Sequence, residues 1–178
     1  MSIGEEQFIA RAIDLAIRNV HDGGGPFGAV IVTGDGRPFD GTNRVTANND
    51  PTAHAEVMAI RNACSSLGTF DLSGCVLYTS CEPCPLCLSA ALWARVDGIV
   101  YAADRHDAAR AGFDDARFHD FFTQPVEERS MQVRQLVLPD SSGANPLPRL
   151  GRAGQPHRVL TPLHLLRTCG PTAAAAPR

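Results

Sequence analysis

Short apolar runs alternate along this chain with segments whose apolar residues recur at helical spacing, and this alternation constrains the fold most strongly. The apolar runs predict five strands, at residues 27–33, 37–43, 75–79, 98–102 and 131–138. The periodic segments predict helices at 5–20, 50–67 and 83–95, and the stretch 104–124 predicts loop and short helix. Strands interleaved with helices predict an α/β layered domain.

Turn and capping residues set the boundaries of these elements. Asp50-Pro51 predicts the start of the second helix, with Asp50 as N-cap and proline in the first turn. Gly34-Asp35-Gly36 predicts a hairpin between the first two strands. Ser2 and Glu5 predict a capping box that opens the first helix.

Charge is distributed unevenly along the 178 residues. Residues 1–140 carry 11 arginines and all 19 acids, a net charge of −8, whereas residues 141–178 carry five arginines and no acid. A negatively charged domain attracts polyanions poorly, so we expect no nucleic-acid partner. The length fits one domain with a sizeable core. The Pro/Arg/Ala-rich segment 141–178 predicts a poorly ordered tail.

Six cysteines are present, and three of them fall within seven residues. No apolar run approaches ~18 residues, the length of a membrane span, and the opening MSIGEEQF carries acids where an export signal carries bases. We therefore expect a cytoplasmic protein with no membrane partner. In a reducing compartment, clustered cysteines favour a metal site over disulfides.

Two short segments carry the residues that could bind a metal or take part in catalysis. His54-Ala55-Glu56 lies in one predicted helix, and Pro83-Cys84-Pro85-Leu86-Cys87 opens another. Cys84 and Cys87 are three residues apart and share one helix face, and a helix N-terminus stabilises thiolates. With His54 they form a Cys₂His set, which leaves a fourth tetrahedral position for water, as catalytic zinc sites do. The pattern predicts a Zn²⁺ cofactor.

Glu56 has a role that a structural zinc site would not need. Two residues from His54, it points about 200° away around a regular helix. The two side chains converge only if His54 lies in the first turn and the metal lies beyond the helix end, towards which side chains lean. A carboxylate in that place can take a proton from water and pass it to a leaving group.

H-x-E followed by P-C-x-x-C is characteristic of zinc nucleobase deaminases, and over roughly residues 5–138 the chain resembles the cytidine/deoxycytidylate deaminase superfamily. More narrowly, it resembles the bacterial guanine deaminases. The resemblance rests on GGPFGAVIV, NDPTAHAEVMAIRNAC, LYTSCEPCPLCLSAALWAR and AADRHDAARAGFDD. It implies that residues 1–140 form a zinc-dependent deaminase domain, a three-layer α/β/α structure around a central mixed five-stranded sheet.

The same resemblance implies a reaction, the zinc-dependent hydrolytic deamination of guanine to xanthine and ammonia. The zinc ligands would be His54, Cys84 and Cys87, and the catalytic proton shuttle would be Glu56. The residues holding the nucleobase would be Phe27, Asn43, the backbone of Ala55 and, at the far edge of the ring, Asp115. Such enzymes are homodimers, often with a swapped C-terminal segment that closes the partner's active site.

A structural zinc site is the main competing interpretation of the cysteine cluster. Cys81 is evenly spaced with Cys84 and Cys87 and could supply a fourth sulfur. The chain would then be a non-catalytic zinc-binding module.

The residues assigned to the substrate could each have an ordinary structural role. Asn43 could terminate a strand, Asp114 and Asp115 could be a plain loop pair, and Phe27 could belong to the core.

The base could instead be cytosine, a nucleoside or a triazine such as ammeline. Deamination of tRNA adenosines would need a basic path for the polynucleotide, which the net charge of −8 over residues 1–140 disfavours.

The tail departs from the resemblance, because residues 141–178 lack the P-F-x-A-W segment and final aromatic residue of these enzymes. Read one base later, the codons of residues 145–153 permit Thr-Pro-Phe-His-Ala-Trp-Ala-Glu, and those of residues 158–160 permit a tyrosine followed by a stop. One hypothesis is therefore a frameshift near residues 140–145, and the other is a divergent tail.

Sequencing the locus decides between these two hypotheses. The frameshift hypothesis predicts that the DNA encoding residues 145–153, when read one base later, spells the alternative peptide. Codons that exclude this peptide would leave the divergent tail as the explanation.

Overall fold

Four strands form one mixed sheet in the computed structural model, which describes residues 3–136 without the side chain of Ile3. The strands are β1 (Gly28–Val32), β2 (Pro38–Thr42), β3 (Val76–Cys81) and β4 (Gly98–Ala103). The helices are α1 (Ile3–His21), α2 (Val45–Asn48), α3 (Ala55–Leu67), α4 (Pro85–Trp93), α5 (Arg105–Arg110) and α6 (Ala116–Thr123), followed by a 3₁₀ turn at Val126–Glu128.

The strand order is β2-β1-β3-β4. Strand β1 pairs antiparallel with both β2 and β3, whereas β3 and β4 run parallel, with α4 in the crossover between them. A parallel pair needs such a crossover, so the segment that follows β3 must leave the sheet and begin a helix. The Pro-Cys-x-x-Cys segment, residues 83–87, spans this junction and continues into the first turn of α4.

The sheet is covered by helices on both faces. On β1, Ala29 and Ile31 face a core shared with α3 and α4, whereas Val30 and Val32 face a second core shared with α1. All five residues of β1 are buried, as expected for a central strand whose two faces are both covered. The predicted α/β/α layering is therefore present.

Small residues bring the helices unusually close to the sheet. A Cβ atom on Gly41 of β2 would lie 2.2 Å from the carbonyl oxygen of Ala55 and 2.3 Å from the amide nitrogen of Ala59. On the other face, a Cβ on Gly28 would lie 2.3 Å from the carbonyl oxygen of Ala12. Only glycine permits these approaches, and the first of them fixes the start of α3 against β2.

Two of the sequence predictions need correction. The sheet of the described residues has four strands rather than five, since residues 131–136 are exposed and form no strand. Residues 137–138 of that predicted strand lie outside the described part. Alternating apolar residues predict which face a strand would bury, but not whether a neighbouring strand is available for pairing.

The second correction concerns the start of α3, which lies at Ala55 rather than at Asp50. The Asp50 carboxylate caps a separate turn, where it accepts hydrogen bonds from the amide and hydroxyl of Thr52 at 2.8 and 2.7 Å. An Asp-Pro pair predicts a turn as well as a helix start. Before this turn lies α2, which the sequence patterns did not predict.

The chain divides into two units, residues 1–132 and 133–178. The helices and strands given above belong to the first unit, and only residues 133–136 of the second are described. The proposed capping residue Ser2, the predicted boundary at residue 140 and the predicted tail all lie outside the described residues. None of the helices between residues 3 and 136 combines the length and apolar character that crossing a bilayer requires.

The close approach at Gly41 predicts a large stability effect. Gly41→Ala should lower the free energy of unfolding by about 1–3 kcal/mol, because backbone atoms of α3 must move to admit the methyl group. Gly98→Ala is the matched control, since a Cβ on this β4 glycine meets no atom within 4 Å. Urea denaturation of both variants measures the difference, and equal stabilities would contradict this account of the contact between β2 and α3.

Candidate active site

Two helix N-termini converge on one point of the structure. His54 is the N-cap residue of α3 and Cys84 is the N-cap residue of α4, yet neither side chain makes a capping hydrogen bond. Pro85 occupies the first turn of α4, where a missing N–H costs nothing. Both N-cap side chains are therefore available for another partner, in an electropositive place that favours thiolates.

His54, Cys84 and Cys87 form the group that could hold a metal ion among the described residues. The two sulfur atoms are 3.7 Å apart, and Nδ1 of His54 lies 3.6 Å from the sulfur of Cys84 and 3.5 Å from that of Cys87. Zinc–sulfur bonds of about 2.3 Å and zinc–nitrogen bonds of about 2.0 Å at tetrahedral angles require separations of about 3.8 and 3.5 Å. The three donors are thus spaced as a tetrahedral zinc site needs.

The pKa values of the two cysteines are shifted in opposite directions. Contact with Cys87 and with His54 lowers the pKa of Cys84 to about 4, whereas the neighbouring Cys84 and burial raise the pKa of Cys87. The pKa of His54 is raised, chiefly by its contact with Cys84. A metal ion needs both cysteines as thiolates, so its binding here would release protons.

Cys81 does not belong to this group. Its sulfur lies 3.8 Å from the carbonyl oxygen of Asp104, and burial raises its pKa to about 11. Its sulfur is not among the donor atoms that could hold a metal ion in the described residues. The described residues therefore bring together three donors that could hold a metal ion without a fourth sulfur, which disfavours the structural four-ligand site.

Glu56 lies beside the three donors, although it is only 6% exposed. Its Oε2 atom is 3.3 Å from the sulfur of Cys87, and its Oε1 atom accepts a hydrogen bond of 3.3 Å from the hydroxyl of Thr79. Burial raises the pKa of Glu56. Because His54 precedes the helix and Glu56 follows in its first turn, both side chains reach the same point beyond the helix end.

A cavity of about 340 Å³ opens onto this group, within the size range of small-molecule sites. Three of the residues proposed to hold a base, Phe27, Asn43 and Asp115, line it together with His54 and Glu56. Further lining residues were not singled out from the sequence; these include Val45, Thr46, Glu82, Arg105, Phe113 and Phe118. Phe113 lies in the AGFDD segment, which is the one signal that could have pointed to it.

Ala55 occupies a different place from the other proposed base ligands. Its side chain is fully buried in the core between the sheet and α3. Any contact with a bound ring must therefore come from its backbone, and that contact stays a prediction.

Asn43 is held in place from α1. The amide of Asn19, only 3% exposed, donates to the carbonyl oxygens of Asn43 and Gly25, both at 2.8 Å. A Cβ on Gly25 would lie 3.0 Å from the Asn43 side chain, so glycine leaves room for that side chain. Phe27, the next wall of the cavity, stacks edge-to-face on Phe113 with ring centroids 5.1 Å apart.

Comparison with known proteins identifies the family. The model of the cytidine and deoxycytidylate deaminase zinc-binding region matches residues 3–103. Guanine deaminase from Bacillus subtilis (strain 168) is 52% identical over 137 residues, which cover 76% of this chain and 88% of that relative. Its X-ray structure matches with a TM-score of 0.76 at 48% identity, covering 86% of this chain and 96% of that chain.

A relative with another substrate in its name also matches. The tRNA-specific adenosine deaminase of Aquifex aeolicus (strain VF5) is 39% identical over 101 residues, which cover 57% of this chain and 67% of that relative. The chain belongs to the cytidine and deoxycytidylate deaminase family. It is an aminohydrolase acting on cyclic amidines with zinc as its cofactor, and the resemblance drawn from its motifs is confirmed.

The hydrogen bond from Thr79 to Glu56 predicts a kinetic effect. Thr79 is 1% exposed, and Thr79→Val keeps its shape while removing the donor. The variant should lower kcat about tenfold with little change in KM, because Glu56 loses the group that orients it. Steady-state ammonia release measures both constants, alongside the zinc content.

Thr33→Val is the matched control, since Thr33 makes its hydroxyl contacts in the hairpin at the other end of β1. An unchanged kcat in Thr79→Val, with zinc bound, would show that this hydrogen bond does not orient Glu56.

Proposed function

We propose that this chain catalyses the zinc-dependent hydrolytic deamination of guanine to xanthine and ammonia. The observation that carries the proposal is the placement of Glu56 against the His54, Cys84 and Cys87 donors at the floor of a cavity that Asn43 and Asp115 also line. A structural zinc site needs neither a buried carboxylate nor a cavity. The 52% identity to the guanine deaminase of B. subtilis supports the choice of base.

The residues divide the reaction among them. His54, Cys84 and Cys87 would hold the zinc ion, which would supply the Lewis acidity that makes water a nucleophile near neutral pH. Glu56 takes a proton from the water molecule that attacks C2 of guanine and delivers it to a ring nitrogen. Glu56 then takes the proton of the hydroxyl now on C2 and gives it to the exocyclic amine, so that the C2 oxygen becomes a carbonyl, the carbon–nitrogen bond breaks and ammonia leaves.

The cavity walls orient the ring for this attack. The Asn43 side-chain amide offers both a donor and an acceptor, and the Asp115 carboxylate accepts from ring N–H groups. Phe27 supplies an apolar wall that packs on Phe113. A site built from such polar groups rejects bases that leave them unpaired, which gives selectivity among amino-heterocycles.

Replacement of the proton shuttle tests this proposal most simply. Glu56→Gln should lower kcat for guanine by about 100- to 10,000-fold, because general acid–base transfer is lost, and should retain zinc, since Glu56 is not one of the three ligands. Ammonia release and metal analysis measure the two outcomes. Asp35→Asn, an exposed hairpin carboxylate, is the control for loss of charge.

A panel of amino-heterocycles separates the candidate substrates. Zinc-loaded wild-type protein should release ammonia from guanine faster than from cytosine, cytidine, ammeline or tRNA adenosine. Equal or faster turnover of another compound would replace guanine as the substrate. Absence of turnover with every compound would favour a non-catalytic zinc module.

We further propose that the enzyme works as a homodimer in the cytoplasm, where a reducing environment keeps Cys84 and Cys87 as thiols or thiolates. The support for self-association is α4, whose surface is largely apolar. Its exposed large side chains are Leu86, Leu88, Leu92 and Trp93. Contiguous exposed apolar patches of this kind mark protein–protein contacts. The swapped C-terminal segment of the resemblance falls on residues outside the described part.

Self-association through α4 predicts a change in mass. Leu92→Glu, at a position that is 71% exposed, should convert the dimer into a monomer, because a charge cannot be buried unpaired in an interface. Sedimentation equilibrium measures the mass, and Val126→Glu, outside α4, is the control. A wild-type monomer, or a dimer that survives Leu92→Glu, would contradict this interface.

A further inference from the structure

The two acids that precede α6 have different partners. Asp114 accepts a hydrogen bond of 2.9 Å from the backbone amide of Ala116, so its carboxylate closes the turn into the helix. Asp115 is the N-cap residue of α6, but its side chain makes no capping bond. Both acids line the cavity. Of the two, Asp115 is the one that local backbone structure leaves available for a ligand.

The carboxylate of Asp115 is instead held by His119, one helical turn further along α6. Oδ2 of Asp115 lies 3.2 Å from Nε2 of His119, and the two side chains are 22% and 23% exposed. A carboxylate only accepts hydrogen bonds, so Nε2 carries the proton in this contact. Asp115 lines the cavity and His119 does not. His119 therefore contacts Asp115 from outside the cavity.

Arg105 also lies near Asp115, but its hydrogen bonds go to another residue. Arg105 directs its backbone amide and Nε to the two oxygens of Glu82, both at 3.0 Å, and its Nη2 also donates to Glu82. The bonds that fix the guanidinium therefore go to Glu82 and not to Asp115. His119 therefore supplies the directional contact that orients the Asp115 carboxylate.

We propose that His119 is a positioning residue that holds Oδ2 of Asp115 so that Oδ1 accepts an N–H of the imidazole ring of a free purine base. The proposal rests on the proposed deamination of guanine. When C2 of guanine lies beside Glu56 and the metal-binding residues, the imidazole ring is at the opposite edge of the base. A free base carries an N–H on that ring, whereas a base substituted at N9 has lost it.

This arrangement gives a preference for free bases over N9-substituted ones. A carboxylate whose second oxygen meets no donor remains desolvated and unpaired, which weakens binding. Without His119, the carboxylate is free to rotate, and the N–H of the free base no longer meets a fixed acceptor. Loss of His119 should therefore cost affinity for guanine but not for 9-methylguanine.

The test compares His119→Leu, which removes the donor, with His119→Gln, which retains an N–H at similar reach. His106→Leu on α5 is the matched control, because His106 is exposed and does not line the cavity. Each change is made in the wild-type and Glu56→Gln backgrounds. Steady-state kinetics in the first and calorimetric titration in the second use guanine and 9-methylguanine.

We expect His119→Leu to raise KM and Kd for guanine about tenfold, the effect of one hydrogen bond to a charged group, with kcat within about twofold of the wild type. KM and Kd for 9-methylguanine should not change, so the difference in affinity between guanine and 9-methylguanine becomes smaller. His119→Gln should restore most of that preference, and His106→Leu should match the wild type.

Equal affinities of His119→Leu and the wild type for guanine would overturn the proposal. It would also be overturned by parallel losses with guanine and 9-methylguanine, which indicate a structural role. Failure of the proposed function is seen separately, as a wild-type protein that releases no ammonia from guanine. The titrations still test His119 in that case, and failure of guanine to bind in them would overturn the positioning role as well.

Discussion

The convergence of two helix N-termini on one point is the constraint on which the rest of this structure depends. The chain leaves β3, makes a short turn and enters α4 at Cys84, while α3 begins at His54 on the neighbouring side. Each N-cap side chain is free because neither caps its own helix. Two N-termini also place two positive dipole ends at the same point, which favours a negative charge such as the Cys84 thiolate.

This geometry depends on very small residues elsewhere. Gly41 lets β2 approach the backbone of α3, and the alanines at 55, 59 and 63 on α3 keep that helix face flat against the sheet. The approach holds the first turn of α3, where Glu56 is buried beside Thr79 of β3. A carboxylate in such a place is expensive to bury. Its presence in an otherwise apolar interior is therefore better explained by chemistry than by stability.

The structure brings together side chains that the sequence singled out by their spacing, whereas the predicted strands and helix starts needed more correction. His54, Cys84 and Cys87 can hold one ion only at a suitable spacing, with Glu56 beside them, and spacing can be read without coordinates. Strand pairing cannot be read in this way, which is why the alternation at 131–138 predicted a strand that residues 131–136 do not form. The start of α3 was misplaced because Asp50-Pro51 fits a turn as well as an N-cap. Asn19 was not found because it bonds backbone carbonyls that are distant in the sequence. His119 was not found because the orientation of its partner, the Asp115 side chain, depends on the fold.

Zinc-edge X-ray absorption of the zinc-loaded protein tests the central claim most directly. The account predicts a first shell of two sulfur atoms at about 2.3 Å and two nitrogen or oxygen atoms at about 2.0 Å. These correspond to Cys84, Cys87, His54 and one exchangeable light ligand. The spectrum of Cys81→Ser should be unchanged. A shell of three or four sulfurs, or one that loses sulfur in Cys81→Ser, would contradict the account, since the fourth position would then be filled by protein.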